Sequence, residues 1–382
     1  MQIVGIICEY NPFHLGHQKQ FDYIRAQFGP EAVIVCLMSG NYVQRGAPAI
    51  FDKADRAKAA IDCGADLVLE MPVLNSLFSA EGFAAGGVQT LSPFCDYLCF
   101  GSESGDADSL MHIAQALHAP EFGPLLRSEL KDGCSFPVAR DRVLEKMGYD
   151  PSLLQNPNDI LAVEYCSAIH LYKSKMKPLP MKREGDYHSS DPDPKNPSAT
   201  SVRQLMIQDQ PWETYIPEAA WETFRKASIH TLSAGERAVL ARLRTMSDQD
   251  FEALPYGSEG LWRKLRRACH TCATLEEILT ATKSKRYTRT RLNRMVMCAY
   301  LGITMDMLNT SAPYVRVLGL RQSGISALKK ARETGLFPHI GEKTGHEYEK
   351  WEQQWDDLYG LFCRDTPSPA GQTGNRRIYI PR

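Results

Sequence analysis

QIVGIICEYNPFHLGHQKQFDYIRAQF, residues 2–28, holds the reading on which the fold turns. Its first third is a short β-branched apolar run, its middle carries Asn11 and Pro12, which break a strand, and its last half has helical spacing. The order strand, turn, helix recurs three more times. EAVIVCLMS (31–39) precedes KADRAKAAIDCG, ADLVLEM (65–71) precedes SAEGFAAGGVQTL, and CDYLCFGS (95–102) precedes DADSLMHIAQALH. Such alternation predicts an α/β fold with a parallel sheet covered by helices, and the nearly continuous apolar strands fit burial on both faces. Ligands of such folds bind where strands end and helices begin, and EYNPFHLGH and FGSESGD occupy two such turns.

Further on, NDILAVEYCSAIHLYK (158–173) predicts a helix, and KPLPMKRE (177–184) predicts another strand. The polar stretch Asp191 to Pro197 reads as a loop, after which Ser198 or Thr200 caps a helix with Arg203 in its first turn. Beyond about residue 210 strand signals fade and amphipathic helices such as SAGERAVLARLRTM dominate. We therefore expect a Rossmann-like domain over 1–210 and a mainly helical domain over 211–382, in keeping with a chain of 382 residues.

With 43% hydrophobic and 23% charged residues the composition is that of an ordinary globular protein. The opening MQIVGIICEY has no basic leader, and its apolar run breaks at Glu9, too early for a membrane span. A cytoplasmic protein without membrane association is expected. The 11 cysteines mostly sit inside apolar runs, where the thiol acts as a small hydrophobe, so no disulfide framework is expected. Cys269 and Cys272 form a lone CxxC beside His270 with no second ligand pair, and no metal site is expected.

The turn between the first strand and its helix suits an anion. Gly16 lets backbone approach a ligand, and the helix aims unpaired amides at the turn. His14 and His17 flank it and can donate hydrogen bonds to phosphate oxygens where charge builds up during phosphoryl or nucleotidyl transfer. A zinc pair would want a third ligand nearby; Cys8 and Glu9 precede the turn and alternate across the strand. The chain contains no GxxxxGK[ST] and no GxGxxG after the first strand, so a nucleotide must be held by other means. Ser198, Thr200 and Arg203 supply a helix N-terminus and a guanidinium for phosphates.

Taken in order, EYNPFHLGH, MSGNYVQRGAPA, GADLVLEMP, FGSESGD, KREGDYH, SATSVR and TKSKRYTRTRLNRM resemble the bacterial tRNA(Met) cytidine acetate ligase family, of the HIGH-type nucleotidyltransferase superfamily. The similarity runs to about residue 325; the tail from about Pro338, including EYEKWEQQWDDLYGLF, is unmatched. The resemblance implies that ATP and acetate give acetyl-adenylate and pyrophosphate, and that the acetyl group passes to the wobble cytidine of elongator tRNA(Met). ATP, with Mg2+, is the implied co-substrate.

By the same resemblance, His14 and His17 stabilise charge on the α-phosphate. The turn containing Ile7, Glu9, Asn11, Pro12, Phe13 and Gly16 lines the triphosphate side, and Gly101, Asn158 and Arg183 are further ATP contacts. Ser201 stands where the superfamily often has an apolar residue or alanine. Asn41, Gln44 and Arg45, after the second strand, are expected to face acetate or the target base. Between residues 263 and 294 ten basic residues face only Glu276 and Glu277. Lys283, Lys285, Arg286, Arg289, Arg291 and Arg294 are expected to meet tRNA phosphates, with Trp262 and Tyr287 able to stack on unpaired bases. A small-molecule adenylyltransferase on the same core, or a catalytically inert RNA-binding protein, are the competing readings.

Overall fold

The computed structural model describes residues 1–131, 133–183, 196–284, 286–335, 345–367, 369–371 and 377–381. The predicted strands form β1 (Ile3–Cys8), β2 (Val33–Ser39), β3 (Leu67–Met71), β4 (Tyr97–Ser102) and β5 (Lys177–Lys182). They pair in parallel with spatial order β5-β4-β1-β2-β3, in a register that sets Ile3 beside Val33 and Cys8 beside Met38. The chain steps from β1 outward through β2 and β3, then crosses to the other side of β1 for β4 and β5. That reversal opens a crevice at the carboxyl ends of β1 and β4, where open α/β sheets bind ligands.

Every residue of β2 and β3 is buried, as the unbroken apolar runs require. On one face lie α1 (Leu15–Phe28), α2 (Lys53–Asp62), α6 (Ala199–Ile207) and α7 (Glu218–Lys226), packed through Phe21, Ile24, Ala57, Ala60, Val202 and Phe224. The other face carries α3 (Ala80–Leu91), α4 (Ala107–Leu117) and α5 (Pro157–Leu171), through Val88, Leu91, Leu110, Ile113 and Ala162. A third core gathers α8 (Glu236–Thr245), α9 (Leu261–Thr271), α10 (Leu275–Thr282) and α11 (Arg289–Leu301). Among the described residues no helix is long and apolar enough to cross a membrane.

Two features of the second half differ from the sequence reading. A sixth strand, β6 (Val317–Leu320), returns to the sheet and pairs antiparallel with β3, followed by α12 (Ile325–Thr334) on the α3–α5 face. Four residues in a helix-rich setting carry too short a periodic signal to be read as a strand.

The second feature is α13 (Glu347–Tyr359), inside the unmatched tail, a wedge whose inner face, Tyr348, Glu352, Trp355, Asp356 and Tyr359, is buried. Its Trp355 is 1% exposed and donates through Nε1 to Leu301 O at 3.0 Å, while Trp355 O accepts from Tyr42 Oη at 2.8 Å. Asp356 and Glu70 each bond Lys53 Nζ at 2.6 Å, and Arg316 reaches Glu70 at 3.0 Å and Glu352 at 3.1 Å. The wedge thus fastens the loop after β2 to the helical segment.

Candidate active site

After β1 the chain turns through Tyr10, at a left-handed φ of 43°, and a cis Asn11–Pro12 bond before α1 begins at Leu15. Phe13 is fully buried, and Tyr10 and Phe13 pack edge-on with ring centroids 4.8 Å apart, so the apolar half of the turn is core. His14 takes the N-cap position normally given to Ser, Thr, Asp or Asn. Its Nδ1 accepts from the Gly16 amide at 3.1 Å, and His17 Nδ1 accepts from the His14 amide at 3.2 Å. The two imidazoles form a reciprocal capping box and stack with centroids 3.7 Å apart.

This pairing decides the protonation of both rings. A backbone N–H can only donate, so each Nδ1 must present a lone pair and each proton must sit on Nε2. Burial, then the nearby Arg183 and Arg203 charges, push His14 down to about 3. Burial, then His14 and Arg183, also hold His17 well below the ordinary imidazole value. The site therefore presents two neutral Nε2–H donors.

Gly16 has a sharper role than general backbone access. A Cβ there would lie 2.9 Å from His14 Cε1 and 3.0 Å from its Nδ1, so glycine is what lets the His14 ring rest over the first turn.

Arg203 comes from α6, whose N-cap Ser198 accepts from the Ser201 amide at 3.1 Å. Arg203 is the fifth helical residue, one turn later than expected, and Nη1 bonds Asn11 O at 2.6 Å while Nη2 bonds Thr200 Oγ1 at 3.1 Å. Asn11 Oδ1 accepts from the Ile50 amide at 2.8 Å, and Glu9 Oε1 from the Gln44 amide at 2.8 Å. Asn11, Pro12, Phe13 and Glu9 thus shape the turn, with Ile7 in β1 pressed against Gly87.

Arg183 follows β5 and folds back over Gly101 at the end of β4; a Cβ on Gly101 would stand 2.8 Å from Arg183 Cδ. Its Nη1 bonds Asn158 Oδ1 at 2.8 Å, and Asn158 Nδ2 bonds Glu103 Oε1 at 2.7 Å. Asn158 is therefore a link between Arg183 and the β4 turn, whereas Glu103 accepts from the Asn158 and Asp159 amides and caps α5. Asp159, fully buried, accepts from the Ser102 hydroxyl and the Glu103 and Ser104 amides. Sequence reasoning missed Glu103 and Asp159; FGSESGD and NPND were the available signals.

Behind the rim, Asn41 is fully buried, donating to Asp52 and Asp356 and accepting from the Lys53 amide at 2.8 Å. Those partners take up its side-chain amide, so Asn41 positions the loop that carries Gln44 and Arg45. Gln44 is half-buried and Arg45 exposed, with Arg45 near enough to Arg203 to act on its charge.

The basic segment is less one-sided than its sequence window. Arg266 pairs with Asp248 at 2.5 Å, Arg286 with Glu259 at 2.7 Å and Arg289 with Glu276 at 2.5 Å, and two of these acids come from outside the window. Tyr287 donates to Glu259 at 3.0 Å and has the Arg291 guanidinium 5.0 Å over its ring, so one face is taken. Arg294 lies at the junction, 3.5 Å from Gln44 O and stacked on Tyr256. Lys283 is exposed, and Lys264 bonds its carbonyl at 3.0 Å. A surface hollow of about 380 Å³ is lined by Asp248, Trp262, Arg263, Arg266, Arg267 and His270. Lys285, residues 184–188 of KREGDYH, the loop 191–195 and the start of the tail lie outside the described residues. Among the described residues no group of three or more His, Cys, Asp or Glu stands where it could hold a metal ion, the Cys269–Cys272 pair included.

A strand–turn–helix bearing paired donor imidazoles, with two arginines over it, defines a nucleotidyltransferase. The chain matches the HIGH Nucleotidyl Transferase family over residues 1–372 and belongs to it. Within it, the chain is 36% identical to the tRNA(Met) cytidine acetate ligase of Acetivibrio thermocellus, covering 89% of this chain and 88% of that protein. It is 33% identical to that of Thermosipho melanesiensis, covering 91% and 86%. The crystal structure of Thermotoga maritima TmcAL (apo, form I) superposes with a TM-score of 0.90 at 27% identity, over 100% of this chain and 99% of that one. The same protein bound with alpha-thio ATP (form II) gives 0.86 over the same shares.

Proposed function

We propose that this chain is an ATP-dependent tRNA(Met) cytidine acetate ligase, and that the fixed Nε2–H pair of His14 and His17 carries its first step. Acetate is a poor acyl donor because its leaving group would be an oxide. Its carboxylate attacks the α-phosphorus of ATP, the bond to the β-phosphate oxygen breaks, and acetyl-adenylate and pyrophosphate result. Negative charge grows on the α-phosphate, and two neutral donors held in fixed positions by the capping box would need no reorganisation to meet it; one such donor is typically worth ~2.7–4 kcal/mol. Arg203 and Arg183 hold the phosphates, with Ser198 and Thr200 at the α6 N-terminus beside them.

In the second step the exocyclic amine of the wobble cytidine attacks the acetyl carbonyl, AMP leaves, and the amine releases a proton. That amine is weak because its lone pair is delocalised into the ring, so orientation against an activated acyl group supplies the rate. Gln44 and Arg45 line the rim where acetate and base would meet. Residues 1–210, together with α7, β6 and α12 that pack on the same sheet, carry adenylation, and the helical remainder of 211–382 carries elongator tRNA(Met), through Lys283, Lys285, Arg286, Arg289, Arg291 and Arg294 and the hollow beside Trp262. Mg2+ would arrive with the triphosphate, whose oxygens usually supply part of its coordination. The reaction belongs to the cytoplasm, with its tRNA.

Supporting this reading are the capping-box histidines and relatives of the same name covering most of the chain. ATP–pyrophosphate exchange tests it. Exchange that requires acetate is expected; acetate-independent exchange with another substrate would favour a small-molecule adenylyltransferase, and no exchange would overturn adenylation.

A further inference from the structure

We propose that Arg56 is a positioning residue for adenylation, a single guanidinium that sets the histidine turn against the loop carrying Gln44 and Arg45; the inference rests on the adenylation reading above. Arg56 lies in α2 and is completely buried. Its Nε donates to Phe51 O at 2.9 Å, Nη1 to Glu9 O at 2.5 Å and to Ser39 O at 3.1 Å, and Nη2 to Gly40 O. These acceptors belong to three pieces of chain: the exit of β1, the exit of β2, and the loop that returns to α2.

Carbonyls at strand exits have lost their ladder partners and need donors when buried. Arginine's planar fork meets several at once. What matters for chemistry is which carbonyls these are. Glu9 is also held through its carboxylate by the Gln44 amide, and Asn11 bonds the Ile50 amide on one side and Arg203 on the other. The turn that aims His14 and His17 is therefore braced by the loop, by Arg203 and, from beneath, by Arg56. Removing the last brace lets β1's exit and the loop move relative to each other without touching a ligand contact.

Lysine carries its charge and three donors at one point and cannot serve acceptors on three segments. In Arg56→Lys the turn should drift, and misplacement near 1 Å costs about 100-fold in rate. We expect kcat of acetate-dependent exchange to fall about 10- to 100-fold while Kd for ATP stays within about threefold, the pattern of an interaction made in the transition state. Arg321→Lys is the control. Arg321 Nη2 bonds Ile61 O at 2.6 Å and Asp62 O at 3.4 Å, at the far end of α2, so its variant should lower the melting temperature and keep kcat. Unchanged kcat in folded Arg56→Lys would overturn the proposal. So would equal kcat losses in both variants, or failure of Arg56→Lys to fold where Arg321→Lys folds. A wild-type protein silent in exchange would overturn the adenylation reading and this inference with it, whereas an active wild type matched by Arg56→Lys overturns this inference alone.

Discussion

Gly16→Ala separates the fold from the chemistry because its two effects have opposite signs. Gly16 is the second residue of α1, and its φ is not among the left-handed ones. By helix propensity alone, alanine should therefore hold or raise stability, by at most ~1 kcal/mol. The added Cβ, however, falls 2.9 Å from His14 Cε1 and 3.0 Å from Nδ1, closer than carbon atoms normally approach. The ring must retreat by several tenths of an ångström, and the 3.1 Å bond from the Gly16 amide that fixes its tautomer stretches with it. Losing a preorganised donor outright costs ~2.7–4 kcal/mol; a displaced one keeps part of its worth. The expected loss is about 10- to 100-fold in acetate-dependent exchange, or ~1.4–2.7 kcal/mol. Thermal melting should stay within about 1 kcal/mol of wild type, the helix-propensity gain offsetting a weakened N-cap. A variant with wild-type exchange would refute the claim that the His14 ring position governs the step. A variant that simply unfolded would refute the packing argument.

Three further expectations follow from the same geometry. His14 is neutral when folded because its pKa falls to about 3 from 6.5, so the folded state binds fewer protons than the unfolded state below pH 6.5. Its stabilisation is complete above that value and is lost as pH falls toward 3, ~1.4 kcal/mol by pH 5.5; urea titrations should show at least this slope, and His14→Gln should reduce it while leaving the share of His17, which burial also holds low. Lys53→Met strips the cation between buried Glu70 and Asp356 and should destabilise by ~3–5 kcal/mol; a change below ~1 kcal/mol in urea unfolding would contradict the wedge role of α13. Reversing Arg263 and Arg267 to glutamate should weaken tRNA(Met) binding and lower its salt slope by about one unit per lost contact. Reversing Arg289, already paired to Glu276, should do less; equal losses in filter binding would argue against the hollow.

Local signals carried far in this chain. The four strand–helix pairs, the strand at KPLPMK and the Ser198 cap were legible because each is written in contiguous residues with period and punctuation. So was the histidine turn. What escaped depends on residues distant in sequence. β6 needs β3 as its partner, and Asn41 looks like a loop residue until Asp356, 315 positions later, takes its amide. Asp248 and Glu259 neutralise arginines in a window that looked almost purely basic. The shared tautomer of His14 and His17 required the capping geometry, which the spacing HxGH permits but does not specify.

Adenylation followed by acetyl transfer is read most directly in the product. Incubating the purified protein with ATP, carbon-labelled acetate and tRNA(Met), then digesting the RNA for mass spectrometry, should place the label in N4-acetylcytidine at the wobble position. His17→Ala, measured beside it, should reduce the yield rate about 100- to 1000-fold. Label absent from cytidine, or present to the same extent without ATP, would contradict the account.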